Sequence, residues 1–169
     1  EQDIKEELER IKSLTILMHN GKFDYQVLKC TCGIECIPTW DTMIAFRLLD
    51  ENEKSVKLKD QYIAKIDSSQ EKYSIEHLFN GVEYAIVDPS IFALYAATDS
   101  FMTFKLYEWQ KKRFEIAEHK KLYNLFKNIE MPVVQVAAEM ELVGVEVDKE
   151  YAKRLSDKYH KLSSDMDAN

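Results

Sequence analysis

Apolar positions at helical spacing recur along most of the chain and predict long helices with short connections. Ile4, Leu8 and Ile11, set among Glu, Lys and Arg, describe a surface helix over residues 1–12 with one buried stripe. Leu14 to Met18 is a short apolar run ended by His19-Asn20-Gly21, after which Phe23, Val27 and Leu28 restart a helical period. That is a strand feeding a helix. A second such unit begins at Ile37-Pro-Thr-Trp40, an edge-type strand with proline. Asp41 or Thr42 then caps an apolar helix through Ile44, Phe46, Leu48 and Leu49.

Residues 50–56 read as a loop, and Leu58, Tyr62, Ile63 and Ile66 as a short helix that ends at the Asp67–Gln70 break. From there to residue 87 the pattern is illegible. Asp88-Pro89 is a strong helix start, a capping carboxylate followed by proline at the first helical position. The period Ile91, Leu94, Thr98, Met102, Leu106, Trp109 then marks the longest helix. Lys111, Lys112, Arg113, Lys120, Lys121 and Lys127 read as a solvated basic face over an apolar stripe of Phe114, Leu122, Leu125, Phe126 and Ile129. Met131-Pro132 is a boundary before a helix through Val136 and Met140, and Gly144 to Asp148 is a turn or short strand. Tyr151, Leu155, Tyr159, Leu162 and Met166 return to helical spacing, in a segment expected to belong to a second domain.

Composition narrows the classes. Of 169 residues, 46% are hydrophobic, enough to bury a core and to exclude disorder as the overall state. With 4 glycines and 3 prolines the chain is too poor in turn residues for a β-sandwich. No apolar run approaches the roughly 18 residues of a membrane span, and no signal peptide opens the chain, so a cytoplasmic protein with no membrane partner is expected. Cys30, Cys32 and Cys36 are odd in number, which suits a reducing compartment; their spacing lacks the usual Cys-x2-Cys pair and a nearby fourth ligand for zinc. The net charge of −7 argues against binding nucleic acid through bulk positive charge, but leaves open an acidic metal site acting on a phosphodiester. The first residue, Glu1, falls inside a helical pattern, so the chain is expected to be an internal piece of a longer one.

Two features carry candidate chemistry. Asn20-Gly-Lys-Phe-Asp24 puts an amide and a carboxylate where a strand gives way to a helix, so both can project from the sheet's edge into one cleft. Tyr95-Ala-Ala-Thr-Asp99 brings a phenol and a carboxylate onto one helix face, about 6 Å apart along the axis. Taken alone, each is weak, and the second reads more readily as a helix surface pair or a core tyrosine with a wet tip.

In combination they resemble the second and third exonuclease motifs of the proofreading domain of family A DNA polymerases, of the bacterial or phage polymerase I type. The second motif reads His19-Asn20-Gly-Lys-Phe23-Asp24, and Asp41-Thr42-Met43 matches the family's next stretch. Tyr95 to Asp99 matches the third motif, in its tyrosine subclass. Asn128-Ile-Glu-Met-Pro132, Glu139-Met140 and Gly144-Val-Glu-Val-Asp148 look like the junction where the polymerase domain begins. The resemblance implies an α/β, ribonuclease H-like exonuclease fold, helix-rich and with an incomplete sheet, followed by polymerase helices. Residues 1–115 would be the C-terminal part of the exonuclease domain, 116–130 a helical connection, and 131–169 the start of the polymerase domain.

The implied activity is removal of nucleotides from single-stranded DNA 3′ ends by hydrolysis with two Mg²⁺ ions, or Mn²⁺ in their place. Asp24 and Asp99 would be metal ligands, Tyr95 would orient the attacking water, and Asn20 and Phe23 would sit near the terminal nucleotide. The partners implied are DNA and the rest of the polymerase chain. The family's first motif, Asp-x-Glu, is absent upstream of Asp24, and Asp148-Lys-Glu150 lies too late in the chain to replace it. Little catalysis is therefore expected of these residues alone, and a sheet lacking strands would be marginally stable or self-associating. An inert exonuclease-like scaffold for the polymerase is the alternative, and a helical interaction module without chemistry is the reading from another class.

Overall fold

Proline decides where the sheet begins. In the computed structural model, which describes residues 2–11, 13–69, 82 and 86–167, strand β1 (Leu17–Met18) pairs in parallel with β2 (Trp40–Asp41), Leu17 opposite Trp40 and Met18 opposite Asp41. Pro38 has no N–H to give to a ladder. The N–H groups of Thr39 and Trp40 come next, and both donate to the Ile16 carbonyl, at 2.8 and 3.1 Å. The two expected strands are thus cut to two residues each. Helix α1 (Gln2–Ile11) precedes β1, with Leu8 and Ile11 half-buried, and α2 (Gly21–Cys32) links the strands into a β-α-β unit.

Helix α3 (Thr42–Leu49) starts at Asp41, whose side chain accepts from the N–H groups of Met43 and Ile44. Helix α4 (Leu58–Lys65) follows a polar loop. The illegible stretch lies for the most part outside the described residues. Helix α5 (Pro89–Phe114) opens as the Asp88-Pro89 pair dictates, with Asp88 accepting from the Ser90 N–H at 2.8 Å, and it closes on Lys111, Lys112 and Arg113, which oppose the helix dipole. All six basic residues between 111 and 127 are exposed.

After one 3-10 turn (Ala117–His119) the path is helical without a break through α6 (Lys120–Leu125), a π turn (Phe126–Glu130) and α7 (Met131–Val143). Pro132 cannot donate to the carbonyl four residues back and its ring crowds that group. The backbone answers by widening the preceding turn, where the Met131 N–H reaches the Phe126 carbonyl. Proline here changes the helix without ending it.

Two units are compact by themselves, Glu1–Glu139 and Met140–Asn169. The core of the first gathers Trp40, Ala45, Phe114, Phe126, Met131 and Val134. Trp40 is its centre: ring centroids of Phe126 and Tyr107 lie 4.6 and 5.1 Å away. The indole N–H donates to Gln110 Oε1 at 2.9 Å, and the Gln110 amide donates to the Thr42 carbonyl at 2.7 Å. A fully buried amide thereby fastens β2 to α5 with both its polar ends satisfied. In the second unit Gly144, at φ 70°, closes α7, and Asp148 accepts from the Tyr151 N–H at the start of α8 (Lys149–Asp167). No strand forms over residues 144–148. Tyr151, Leu155, Tyr159, Leu162 and Met166 form an exposed stripe on α8.

Candidate active site

The site is built where β1 runs into α2. Asn20 takes the left-handed conformation, φ 65°, which asparagine tolerates better than most residues, and its side chain does not cap the helix. Gly21 follows because nothing larger fits: a Cβ there would meet Pro38 Cγ at 2.9 Å and Met18 Cβ at 3.0 Å. One buried carboxylate organises the turn. Asp41 accepts from the Gly21 N–H at 2.6 Å, the Asn20 N–H at 3.2 Å, and the N–H groups of Met43 and Ile44 at 2.8 and 3.3 Å. It therefore serves the first turns of α2 and α3 at once, with both positive helix ends directed at one anion. Thr42 adds a second tie, its hydroxyl donating to the Met18 carbonyl at 3.2 Å and lying 2.8 Å from His19 Nδ1.

Two cavities open beside this turn. The first, about 530 Å³, is lined by His19, Asp24, Phe92, Tyr95, Asp99 and Phe104 among others. The second, about 480 Å³, shares His19, Tyr95 and Asp99 and adds Asn20, Lys59 and Asp60. Thus α2 delivers Asp24 and α5 delivers Tyr95 and Asp99 to one cavity, while Asn20 lies in its neighbour. Phe23 is 60% exposed and lines neither of these two. It is one residue before Asp24, about 100° round the helix, so the turn that aims the carboxylate inward aims the ring elsewhere.

Burial raises the Asp24 carboxyl above its ordinary range, and the nearby charge of Asp41 pushes the same way. Burial lowers the His19 imidazole, against the opposing pull of Asp41 and, more weakly, Asp99. Cys36 is raised by burial and by the charge of Asp24. Cys30, Cys32 and Cys36 are all free thiols. Among the described residues no group of three or more His, Cys, Asp or Glu side chains is gathered to hold a metal ion. Asp24 and Asp99 line one cavity, and Mg²⁺ is commonly bound through one or two carboxylates with water and substrate phosphate completing its shell.

His19 stands in the second motif without an assigned role and Lys59 in no motif, yet both line the second cavity. His19 adjoins Asn20 and could have been included on that ground alone. Lys59, next to Asp60 in the first turn of α4, carried no local signal of its place in the site.

Two carboxylates and a phenol thus meet at one cavity. The sequence profile of the 3′-5′ exonuclease of family A DNA polymerases matches residues 4–114, and the chain belongs to that family. It is 33% identical over 165 residues to DNA polymerase I of Treponema pallidum (strain Nichols), covering 92% of this chain and 16% of that protein. It is 30% identical over 153 residues to DNA polymerase I of Chloroflexus aurantiacus, covering 88% of this chain and 16% of the relative. The DNA polymerase of Bacillus phage SP01 is 28% identical over 165 residues, 91% of this chain and 17% of the phage protein. The chain thus spans about 16% of the length of the first two relatives. No solved structure matches it significantly.

Proposed function

We infer that this chain is the second- and third-motif portion of a ribonuclease H-like proofreading exonuclease, which removes nucleotides from single-stranded 3′ ends of DNA within a longer DNA polymerase. The observation that carries this reading is the meeting of Asp24, Tyr95 and Asp99, from two helices far apart in sequence, around one cavity. Asp24 and Asp99 are the metal ligands, Tyr95 orients the attacking water through its hydroxyl, and Asn20 and Phe23 lie near the terminal nucleotide. Bound Mg²⁺ supplies hydroxide near neutral pH and charge stabilisation for the leaving 3′ oxygen. The profile match ending at residue 114 supports a junction beyond the exonuclease part, with residues 116–130 as connection and 131–169 opening the polymerase domain. Two carboxylates fall short of a two-metal donor set, so these 169 residues by themselves cut little or nothing.

The test is Mg²⁺-dependent shortening of a 5′-labelled single strand by the chain joined to its flanking sequence. Stepwise loss from the 3′ end, reduced by orders of magnitude in Asp24→Ala and Asp99→Ala, is expected. No shortening by a folded parent would leave the domain as an inert support for the polymerase.

A further inference from the structure

Helix α4 opens with charges of both signs, Lys59 beside Asp60. Lys57 is its N-cap and forms no side-chain cap hydrogen bond, and Lys59 stands in the first turn, where positive charge is unfavourable. The start of the helix is nevertheless well fixed: the Ser55 hydroxyl donates to Asp60, and the Gln61 amide donates to the Ser55 carbonyl. Asp60 supplies the charge that this dipole favours, and local helix stability asks nothing of Lys59.

The cavity does. Lys59 lines it together with Asn20, Tyr95 and Asp99, and its ammonium lies 4.6 Å from the centroid of the Tyr95 ring. That nitrogen is withdrawn from solvent. A polyanion approaching this cleft meets Asp24, Asp60 and Asp99 on a chain of net charge −7; Lys57 and Lys59 are the cations lining the second cavity that offset this charge, and Lys59 is the one held against Tyr95. Lysine suits the task because its compact ammonium binds phosphate as a point charge on a flexible stem. Resting on the exonuclease reading above, we propose that Lys59 is a substrate-binding residue: its ammonium, set against the Tyr95 ring, donates to a non-bridging oxygen of the phosphodiester at the DNA 3′ end.

The test follows hydrolysis of 5′-labelled oligothymidylate by the chain with its flanking sequence, for wild type, Lys59→Met and Lys59→Arg. Loss of one charge-assisted hydrogen bond raises KM about tenfold in Lys59→Met while kcat stays within about threefold. The slope of log kcat/KM against log salt becomes shallower by about 0.7, one phosphate contact on a single strand. Lys59→Arg restores most of both. An unchanged KM and salt slope in Lys59→Met, or a loss confined to kcat, would overturn the proposal. Wild type that does not cut sinks the exonuclease reading instead, and Lys59 is then decided by binding. In Ca²⁺, Lys59→Met weakens the affinity for fluorescently labelled oligothymidylate about tenfold, and an unchanged affinity refutes the assignment.

Discussion

The Tyr25 hydroxyl donates to the Glu139 carboxylate, joining α2 to α7 across 114 positions of sequence. Tyr25 is fully buried, and the neighbouring helical residue, Asp24, faces the cavity. Lys29 reinforces the tie, its ammonium pairing with Glu139 and, at 3.0 Å, with Glu35. The Gln26 amide adds a bond to the Ala138 carbonyl at 3.3 Å. The helix that presents the carboxylate is thus held on its other side by α7.

This cluster predicts a pH window. Lys29, then Tyr25, holds the Glu139 carboxyl below its ordinary 4.5. A lowered folded value means the contribution is present above pH 4.5 and is lost as pH falls through the folded pKa. Glu139, then Glu35, raises Lys29, whose contribution is fully present below its ordinary 10.5 and is lost as pH rises through the folded value. Glu139→Gln should therefore lower Tm at pH 7 by a few degrees and lose most of that difference from wild type in acid. Tyr25→Phe should lower Tm by about 2–4 °C. Thermal melts across the pH range decide this, and an acid-insensitive difference for Glu139→Gln would count against the ion pair.

Asp41 should be the most sensitive polar position near the site. Its carboxylate is 1% exposed and accepts from four backbone N–H groups, so Asp41→Ala strands donors at the start of both α2 and α3. The expected loss is about 3–5 kcal/mol, a lost cap plus buried donors left unpaired. Asp41→Asn keeps one acceptor and should lose less. Urea unfolding of the three proteins measures it, and equal stability of wild type and Asp41→Ala would contradict the shared-cap geometry.

Much of this arrangement was legible in the sequence because it is local. Asp88-Pro89, Asp41 and the period of the long helix concern residues within one or two turns of each other, and α3, α4, α5 and α8 stand where those signals put them. The strand lengths were not legible, since a ladder depends on a partner 23 positions away and on Pro38 delaying it. The π turn before Pro132 also escaped, because proline reads as a stop where tertiary packing around Phe126 and Met131 keeps the helix going. In the site, Asn20, Asp24, Tyr95 and Asp99 carried motif spacing, whereas Lys59 reaches the cavity from a separate helix whose placement no local pattern encodes.

Gly21 tests how tightly the turn is packed. A methyl group there would stand 2.9 Å from the Pro38 ring and 3.0 Å from Met18 Cβ, atoms held by the backbone they belong to. Gly21→Ala should destabilise by about 1–3 kcal/mol through overpacking, despite the better helix propensity of alanine. Chemical denaturation gives the sign directly, and a stabilised Gly21→Ala protein would mean that Met18 and Pro38 yield at little cost.

Asp24 offers the opposite sign. Burial and then the charge of Asp41 raise its carboxyl above 3.8, so the fold disfavours the ionised form. With the folded pKa above the unfolded one, the unfavourable contribution is absent in strong acid, grows as pH rises through that interval and is complete at neutral pH. Asp24→Asn removes the charge with little change of shape. In metal-free buffer at pH 7 it should therefore gain up to about 1 kcal/mol, modest because the side chain is only half-buried and solvent screens it. Millimolar Mg²⁺ should reverse the order, since only the carboxylate gains from the cation, and binding raises stability by mass action. Paired melts with EDTA and with Mg²⁺ measure both signs. Wild type and Asp24→Asn responding equally to Mg²⁺ would remove Asp24 from the ligand set.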